Sequence, residues 1–296
     1  MSHPRPAPTG WAPHSPCQPG RCLPAATNAR QAAMPRRIGR LLAALLLILS
    51  GFVFSPLLVV LSRRRRLAAV RIGARLLLHS LGIALTIRGR LARPGGQAVL
   101  YVGNHTSWID ILAMIAVQPC RHVAKSGVRG WPVIGPIATA AGTVWMDRDK
   151  LSTLPAAVER VARALRISGA VAGFPEGTTW CGRERGPFKP AIFEAAVRAG
   201  ALVQPVALQF ADGRTAFVGD DTLVASVWRT VSLRRPRLVV LAITPLDATQ
   251  VRSRGALADA TATAIAGALR ESPVRTPATA PTRVRPALPA GSPSLA

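Results

Sequence analysis

Acidic side chains are scarce in this chain of 296 residues: 13 Asp and Glu stand against 38 Lys and Arg, a formal net charge of +25. That imbalance points to a polyanionic partner, either nucleic acid or an anionic membrane surface. Aromatic residues are few as well, 5% of the chain with a single Tyr. No basic stretch is interleaved with stacking rings and no nucleic-acid motif appears, which argues against nucleic acid. The chain is instead 49% hydrophobic, which favours membrane lipids. The four cysteines (Cys17, Cys22, Cys120, Cys181) are scattered. With no CxxC pair and no Cys/His cluster at zinc spacing, neither a disulfide framework nor a metal is expected. A GxSxG elbow is also missing, which argues against a serine nucleophile of the α/β-hydrolase kind.

Both ends lack the means to build a core. Residues 1–35 contain eight prolines and residues 271–296 contain six, with no apolar periodicity in either. Such segments bury too little apolar surface to offset chain entropy, so both are expected to be disordered. Met34, directly before Pro-Arg-Arg and the first hydrophobic run, is a candidate start.

The first long apolar run is Leu41 to Leu61, 21 residues without a charge. As a helix it would be about 31 Å long at roughly 1.5 Å per residue, near the ~30 Å of bilayer hydrocarbon. Pro56 would kink it, and Ser50-Gly51 weakens its middle. Arg36, Arg37 and Arg40 precede it and Arg63 to Arg66 follow it. Two basic flanks suit a monotopic hairpin, both ends on the cytosolic face, better than a straight span. In Leu67–Leu81, Leu67, Val70, Ala74, Leu77, Leu78 and Leu81 recur at helical spacing, with Arg71, Arg75 and His79 as a polar stripe. That is the pattern of an interface-lying amphipathic helix, or of a surface helix packed on the domain.

From Ala84 the pattern changes to strands alternating with helices. Strands are expected at 84–88, 98–102, 143–146, 170–174, 202–208 and 238–243, and helices at 109–117, 154–166, 191–199 and 255–269. The alternation predicts an α/β fold with a mostly parallel sheet and helices on both faces. Residues 211–236 read as a surface insertion. The expected organisation is a head (1–35), membrane-anchoring helices (36–82), an α/β domain (83–270) and a tail (271–296).

Ligands of such sheets gather at the carboxyl ends of strands, and two ends are rich in reactive side chains. In Asn104-His105-Thr106-Ser107-Trp108-Ile109-Asp110, the histidine leaves a strand and the aspartate falls in the first turn of a helix. An acid five residues on can fold back to accept the proton of one imidazole nitrogen, freeing the other as a general base. Ser107-x-x-Asp110 is equally a capping pattern, with Asp110 bonding backbone amides. The second end is Phe174-Pro175-Glu176-Gly177-Thr178-Thr179, a turn able to bring amides and hydroxyls close to a ligand oxygen.

Together, NHxxxxD and an FPEGT about 70 residues later resemble the glycerolipid acyltransferase family typified by bacterial 1-acyl-sn-glycerol-3-phosphate acyltransferase. Gly142-Thr143-Val144-Trp145-Met146-Asp147-Arg148 and Val203-Gln204-Pro205-Val206 look like two further motifs of that family. The resemblance implies that His105 is the catalytic base and Asp110 its orienting partner. Arg148, Pro175, Glu176, Gly177, Thr178 and Thr179 are implied to bind the acceptor. It implies transfer of a fatty acyl group from acyl-CoA or acyl carrier protein to the hydroxyl of a lysolipid, without metal or other cofactor. The enzyme is expected on the cell membrane, its catalytic domain facing the cytoplasm. Members acting on lysophosphatidic acid usually read FPEGTRS, whereas here Thr179 and Trp180 follow FPEGT, and Ala124–Pro132 looks similar to the lyso-ornithine-lipid branch. Phosphatidic acid synthesis is the first expectation and acylation of lyso-ornithine lipid the second. Two rivals of other classes are a metal-dependent hydrolase built on His105, Asp110 and His122, and a basic membrane-binding protein without catalysis.

Overall fold

Each of the six strands expected from Ala84 onward is present in the computed structural model, which describes residues 13–25, 31–132, 134–147 and 150–271. The strands are β1 (Ala84–Arg88), β2 (Val99–Gly103), β3 (Arg121–Lys125), β4 (Val144–Met146), β5 (Ala170–Gly173), β6 (Leu202–Phe210), β7 (Arg237–Ala242) and β8 (Leu246–Asp247). Among the described residues they form one sheet in the order β1-β7-β6-β2-β5-β3-β4, with β8 paired to β6. Pairing is parallel except where β6 meets β7 and β8. The expected mostly parallel α/β sheet is therefore present.

The helices are α1 (Pro19–Cys22), α2 (Met34–Val53), α3 (Leu57–Val60), α4 (Arg63–Ser80), α5 (Ile109–Val117), α6 (Ile134–Ala140), α7 (Leu154–Ser168), α8 (Ala191–Ala199), α9 (Leu223–Ser232) and α10 (Arg254–Glu271). β2 is buried along its whole length because both faces of the sheet are covered. Its Leu100 and Val102 join a core with residues of α7, α8 and α10, while Val99 and Tyr101 join the opposite core with residues of α4 and α5. This is the two-residue period of a strand. In α7, Pro155 supplies the fixed φ of a first turn, Ala157, Val158, Val161, Ala162 and Leu165 are buried, and Gly169 ends the helix at φ 72°. Leu165 is fully buried; truncating it to Ala would cost about 2–5 kcal/mol.

Three expectations need correction. Residues 211–236 are no surface insertion: they contain α9, whose Ser226, Thr230 and Val231 are buried. Arg40 of α2, itself buried, donates to the carbonyls of Val231 (2.7 Å), Leu233 (2.5 Å) and Arg234 (3.2 Å) and so satisfies the C-terminal end of α9. Polar residues in 211–236 hid this, because their partner is a distant arginine. Within the head, residues 13–25 are ordered against the domain rather than disordered, with Cys17 fully buried beside Trp180, Cys181, Ala216 and Val218. Residues 31–35 are ordered too, the Ala32 N–H donating to the Ser232 carbonyl (2.8 Å) just before α2, and Glu271 ends α10; the remaining expected disorder, 1–12, 26–30 and 272–296, lies outside the described residues.

The third correction concerns the anchor. The apolar run breaks at Phe54–Pro56 into α2 and the single turn α3, after which α4 returns and packs on α2. No described helix is long and apolar enough to cross a membrane. In α4 the Arg71 and Arg75 stripe turns toward the domain, donating to the Gln118 side chain (3.3 Å) and the Ala116 carbonyl (2.9 Å). Val70, Ile72 and Leu76 are the large apolar side chains of α4 left exposed. The arginines face inward because the C-terminal carbonyls of α5 attract cations.

Candidate active site

β2 and β5 pair in parallel, so the segments leaving their carboxyl ends emerge side by side. Asn104 fixes the first of them: its side chain donates to the Leu208 carbonyl (2.9 Å) and accepts from the Leu208 amide (2.8 Å), clasping the loop to β6. His105 follows, and its ring stacks on Phe174 from the end of β5, centroids 4.3 Å apart and 15° from parallel. Gly103 permits that approach, since a Cβ there would press on the Phe174 ring at 3.0 Å.

The imidazole Nδ1–H donates to Asp110 Oδ2 at 2.9 Å. The same oxygen accepts the backbone N–H groups of Thr106 (2.7 Å) and Ser107 (2.8 Å). The pairing and capping readings of Asp110 are thus one arrangement, in which the amides that the aspartate caps are also what hold its oxygen against the ring. Asp110 is fully buried, while the His105 side chain keeps 16% exposure. With Nδ1 committed as a donor, Nε2 is the nitrogen able to accept a proton.

Glu176 meets this loop from β5. Its Oε2 accepts the His105 backbone N–H at 2.6 Å, and its buried Oε1 has no partner among the described residues. Burial pushes its carboxyl up to about 8, opposed by the amides of His105 and Gly186, with Asp110 raising it further and Arg185 lowering it. The turn closes with the Gly177 N–H on the Phe174 carbonyl (3.1 Å), Gly177 at φ 77°. Pro175 is buried, Thr178 and Thr179 are half-buried, and the Trp180 N–H returns to the His105 carbonyl at 2.8 Å.

The structure therefore brings His105, Asp110, Pro175, Glu176, Gly177, Thr178 and Thr179 to one end of the sheet. Arg148 lies outside the described residues. Sequence reasoning missed Phe174 as the platform under the imidazole and Asn104 as a clasp, although both stand inside the motifs. It also missed β3, which carries His122. Burial pushes that imidazole down to about 4, its Nδ1 3.2 Å from the Cys120 carbonyl. His105, Asp110 and His122 do not converge as ligands, and Asp110 Oδ2 already serves three donors. Among the described residues the group that could hold a metal is Cys17, Cys22 and Cys181, so the cysteines are less scattered than their spacing suggested.

A family model described as Acyltransferase matches residues 84–209. The 1-acyl-sn-glycerol-3-phosphate acyltransferase of Neisseria gonorrhoeae is 37% identical over 203 residues, 67% of this chain and 78% of that protein. The lyso-ornithine lipid O-acyltransferase of Pseudomonas aeruginosa is 32% identical over 155 residues, 51% of this chain and 60% of that protein. The crystal structure of the 1-acyl-sn-glycerophosphate acyltransferase of Thermotoga maritima shares the fold, with a TM-score of 0.62 at 18% identity over 80% of this chain and 97% of that chain. The chain accordingly belongs to the acyltransferase family typified by bacterial 1-acyl-sn-glycerol-3-phosphate acyltransferase, and is itself an acyltransferase.

Proposed function

We propose that the enzyme transfers a fatty acyl group from a coenzyme A or acyl carrier protein thioester to the free hydroxyl of a lysolipid at a membrane surface. The acceptor ranked first is 1-acyl-sn-glycerol-3-phosphate, giving phosphatidic acid. The observation that carries the reading is the 2.9 Å contact between His105 Nδ1 and Asp110 Oδ2, which commits one ring nitrogen and leaves Nε2 for the acceptor.

In this mechanism His105 Nε2 takes the proton of the acceptor hydroxyl as its oxygen attacks the thioester carbonyl. Asp110 stabilises the resulting imidazolium. The tetrahedral oxyanion needs an N–H donor. The amides of Thr106 and Ser107 are taken by Asp110 and that of Gly177 by Phe174. The Thr178 N–H, with no acceptor among the described residues, is the donor of choice. Collapse breaks the C–S bond, and the departing thiolate takes the proton back from His105. No metal or other cofactor enters these steps.

Membrane association is supported by the outer faces of α2, α3 and α4, where Leu42, Leu46, Phe52, Phe54, Val60 and Ile72 are all exposed. Exposed Arg63 to Arg66 border this surface. A cavity of about 400 Å³ lined by Arg36, Arg40, His79, Arg234, Arg235 and Arg237 adds further positive charge. Apolar side chains beside clustered arginines suit an anionic leaflet with the catalytic domain on its cytoplasmic side.

A second acceptor, lyso-ornithine lipid, is favoured by Thr179, a neutral side chain where an arginine would suit a phosphate. The test is to incubate membranes containing the protein with labelled acyl donor and a panel of lysolipids. Labelled phosphatidic acid as the main product is expected. Ornithine lipid as the main product would overturn the first acceptor, and no labelled product from any lysolipid would overturn the transfer reading.

A further inference from the structure

The head meets the catalytic loop through sulfur. Cys17 precedes the single turn α1 and Cys22 ends it, while Cys181 follows Trp180, the residue bonded to His105. The three Sγ atoms lie within 4.8 Å of one another, with Cys17 and Cys181 buried and Cys22 half-buried. The three cysteines dominate a small cluster set apart from the main cores, with Trp180, Ala216, Val218 and Leu23.

The segment carrying two of them is seated by specific contacts. The Arg183 guanidinium donates to the carbonyls of Cys22 (2.8 Å) and Arg21 (3.2 Å). Gly219, at φ 62°, lies so close to the Cys17 carbonyl and the Gln18 side chain that a Cβ would collide with both. The backbone N–H groups of Arg183 and Glu184 are directed at the Cys181 sulfur. Amides two and three residues on, bonded to a sulfur, favour the thiolate that a metal requires.

We propose that Cys17, Cys22 and Cys181 bind one thiophilic divalent cation, Zn²⁺ in the first place, which ties the head to the loop behind Glu176. Thiolate sulfur selects soft or borderline ions over Mg²⁺ or Ca²⁺. A tetrahedral zinc with Zn–S bonds of about 2.3 Å spaces its sulfurs about 3.8 Å apart, so the thiols need to close by about 1 Å at most. Water completes the coordination. Each thiol surrenders its proton to solvent on binding, so affinity rises with pH. The ion acts as a brace: the loop it clamps is the one whose Trp180 N–H holds the His105 carbonyl.

The test uses the full chain in detergent micelles, reduced and stripped with a chelator, in a Cys120→Ser background where every remaining thiol belongs to the cluster. Titrated Co²⁺ is expected to bind at one equivalent with a thiolate-to-cobalt charge-transfer band, and Zn²⁺ to displace it. Bound Zn²⁺ should shield all three thiols from alkylation and raise the melting temperature. Cys17→Ser, Cys22→Ser and Cys181→Ser should each weaken cobalt binding by roughly a hundredfold or more. Cys22→His, which keeps a ligand, should still bind Zn²⁺, so loss of a serine variant to misfolding leaves the claim open to refutation. Cobalt binding without the charge-transfer band, or indifferent to these substitutions, overturns the proposal. So does the loss of two thiols without metal and their return on reduction, which would mark a disulfide. None of these readouts depends on acyl transfer, so the metal site stands or falls separately from the proposed reaction.

Discussion

Replacing Asp110 with Asn removes one charge from a site where the structure dictates what the amide does. Oδ2 accepts three donors, His105 Nδ1 at 2.9 Å and the amides of Thr106 and Ser107 at 2.7 and 2.8 Å. An asparagine NH₂ turned to that position would face two N–H groups, so the two amides force the carbonyl oxygen there. The imidazole therefore keeps its tautomer and orientation, and what is lost is charge. An imidazolium and a carboxylate about 4 Å apart attract by about 4 kcal/mol at an effective dielectric of about 20. Losing that stabilisation as the proton arrives on Nε2 slows turnover by roughly a thousandfold. Stability changes less: two amide bonds to a carboxylate become bonds to a neutral oxygen, about 1 kcal/mol each. That lowers the melting temperature by roughly 4–8 °C for a domain of this size. The assay is kcat per folded molecule with labelled acyl donor, together with thermal unfolding in the same micelles. Turnover within tenfold of wild type, alongside the expected drop in melting temperature, would show that Asp110 only caps the helix and would refute the reasoning.

Other substitutions probe the surroundings. Glu176 has a folded value of about 8 against the ordinary 4.5, so between those values the folded state holds a proton that the unfolded state has lost. Stability should fall as pH rises through that window, by about 2–3 kcal/mol from pH 6 to pH 9, and Glu176→Gln should flatten the dependence; parallel pH profiles of melting temperature would contradict this. Arg40→Met strands the carbonyls of Val231, Leu233 and Arg234 and should cost about 2–4 kcal/mol in unfolding measurements. Thr179→Arg should shift preference toward 1-acyl-sn-glycerol-3-phosphate over an amino-acid-headed lysolipid by about tenfold to a hundredfold, the worth of a hydrogen bond to a charged group. An unchanged acceptor ratio would place the phosphate elsewhere.

What the sequence disclosed was local. The caps of α7 and α8, the Val/Leu run of β2 and the NHxxxxD and FPEGT segments all declare themselves within about ten residues. What it concealed was long-range. β3, with His122 and two polar or charged neighbours at its ends, reads as a strand only once β5 and β4 lie beside it. α9 buries Ser226 and Thr230 as well as Val231, and it is tied to Arg40, 191 residues from Val231 in sequence. The inward turn of Arg71 and Arg75 depends on where α5 ends, which helical periodicity does not reveal. The cysteines converge through a head whose proline content reads as disorder, since a segment held by a few sulfur and carbonyl contacts needs no apolar period.

The central claim is that His105 takes the proton of the acceptor hydroxyl during acyl transfer. The most direct measurement is the initial rate of labelled acyl transfer from an acyl thioester to 1-acyl-sn-glycerol-3-phosphate by wild type and His105→Ala, at equal folded concentration in identical micelles. The account predicts labelled phosphatidic acid from wild type and a rate at least about a thousandfold lower from the variant, since loss of a general base together with its imidazolium partner removes several kcal/mol of transition-state stabilisation. Transfer by His105→Ala within tenfold of wild type would contradict it.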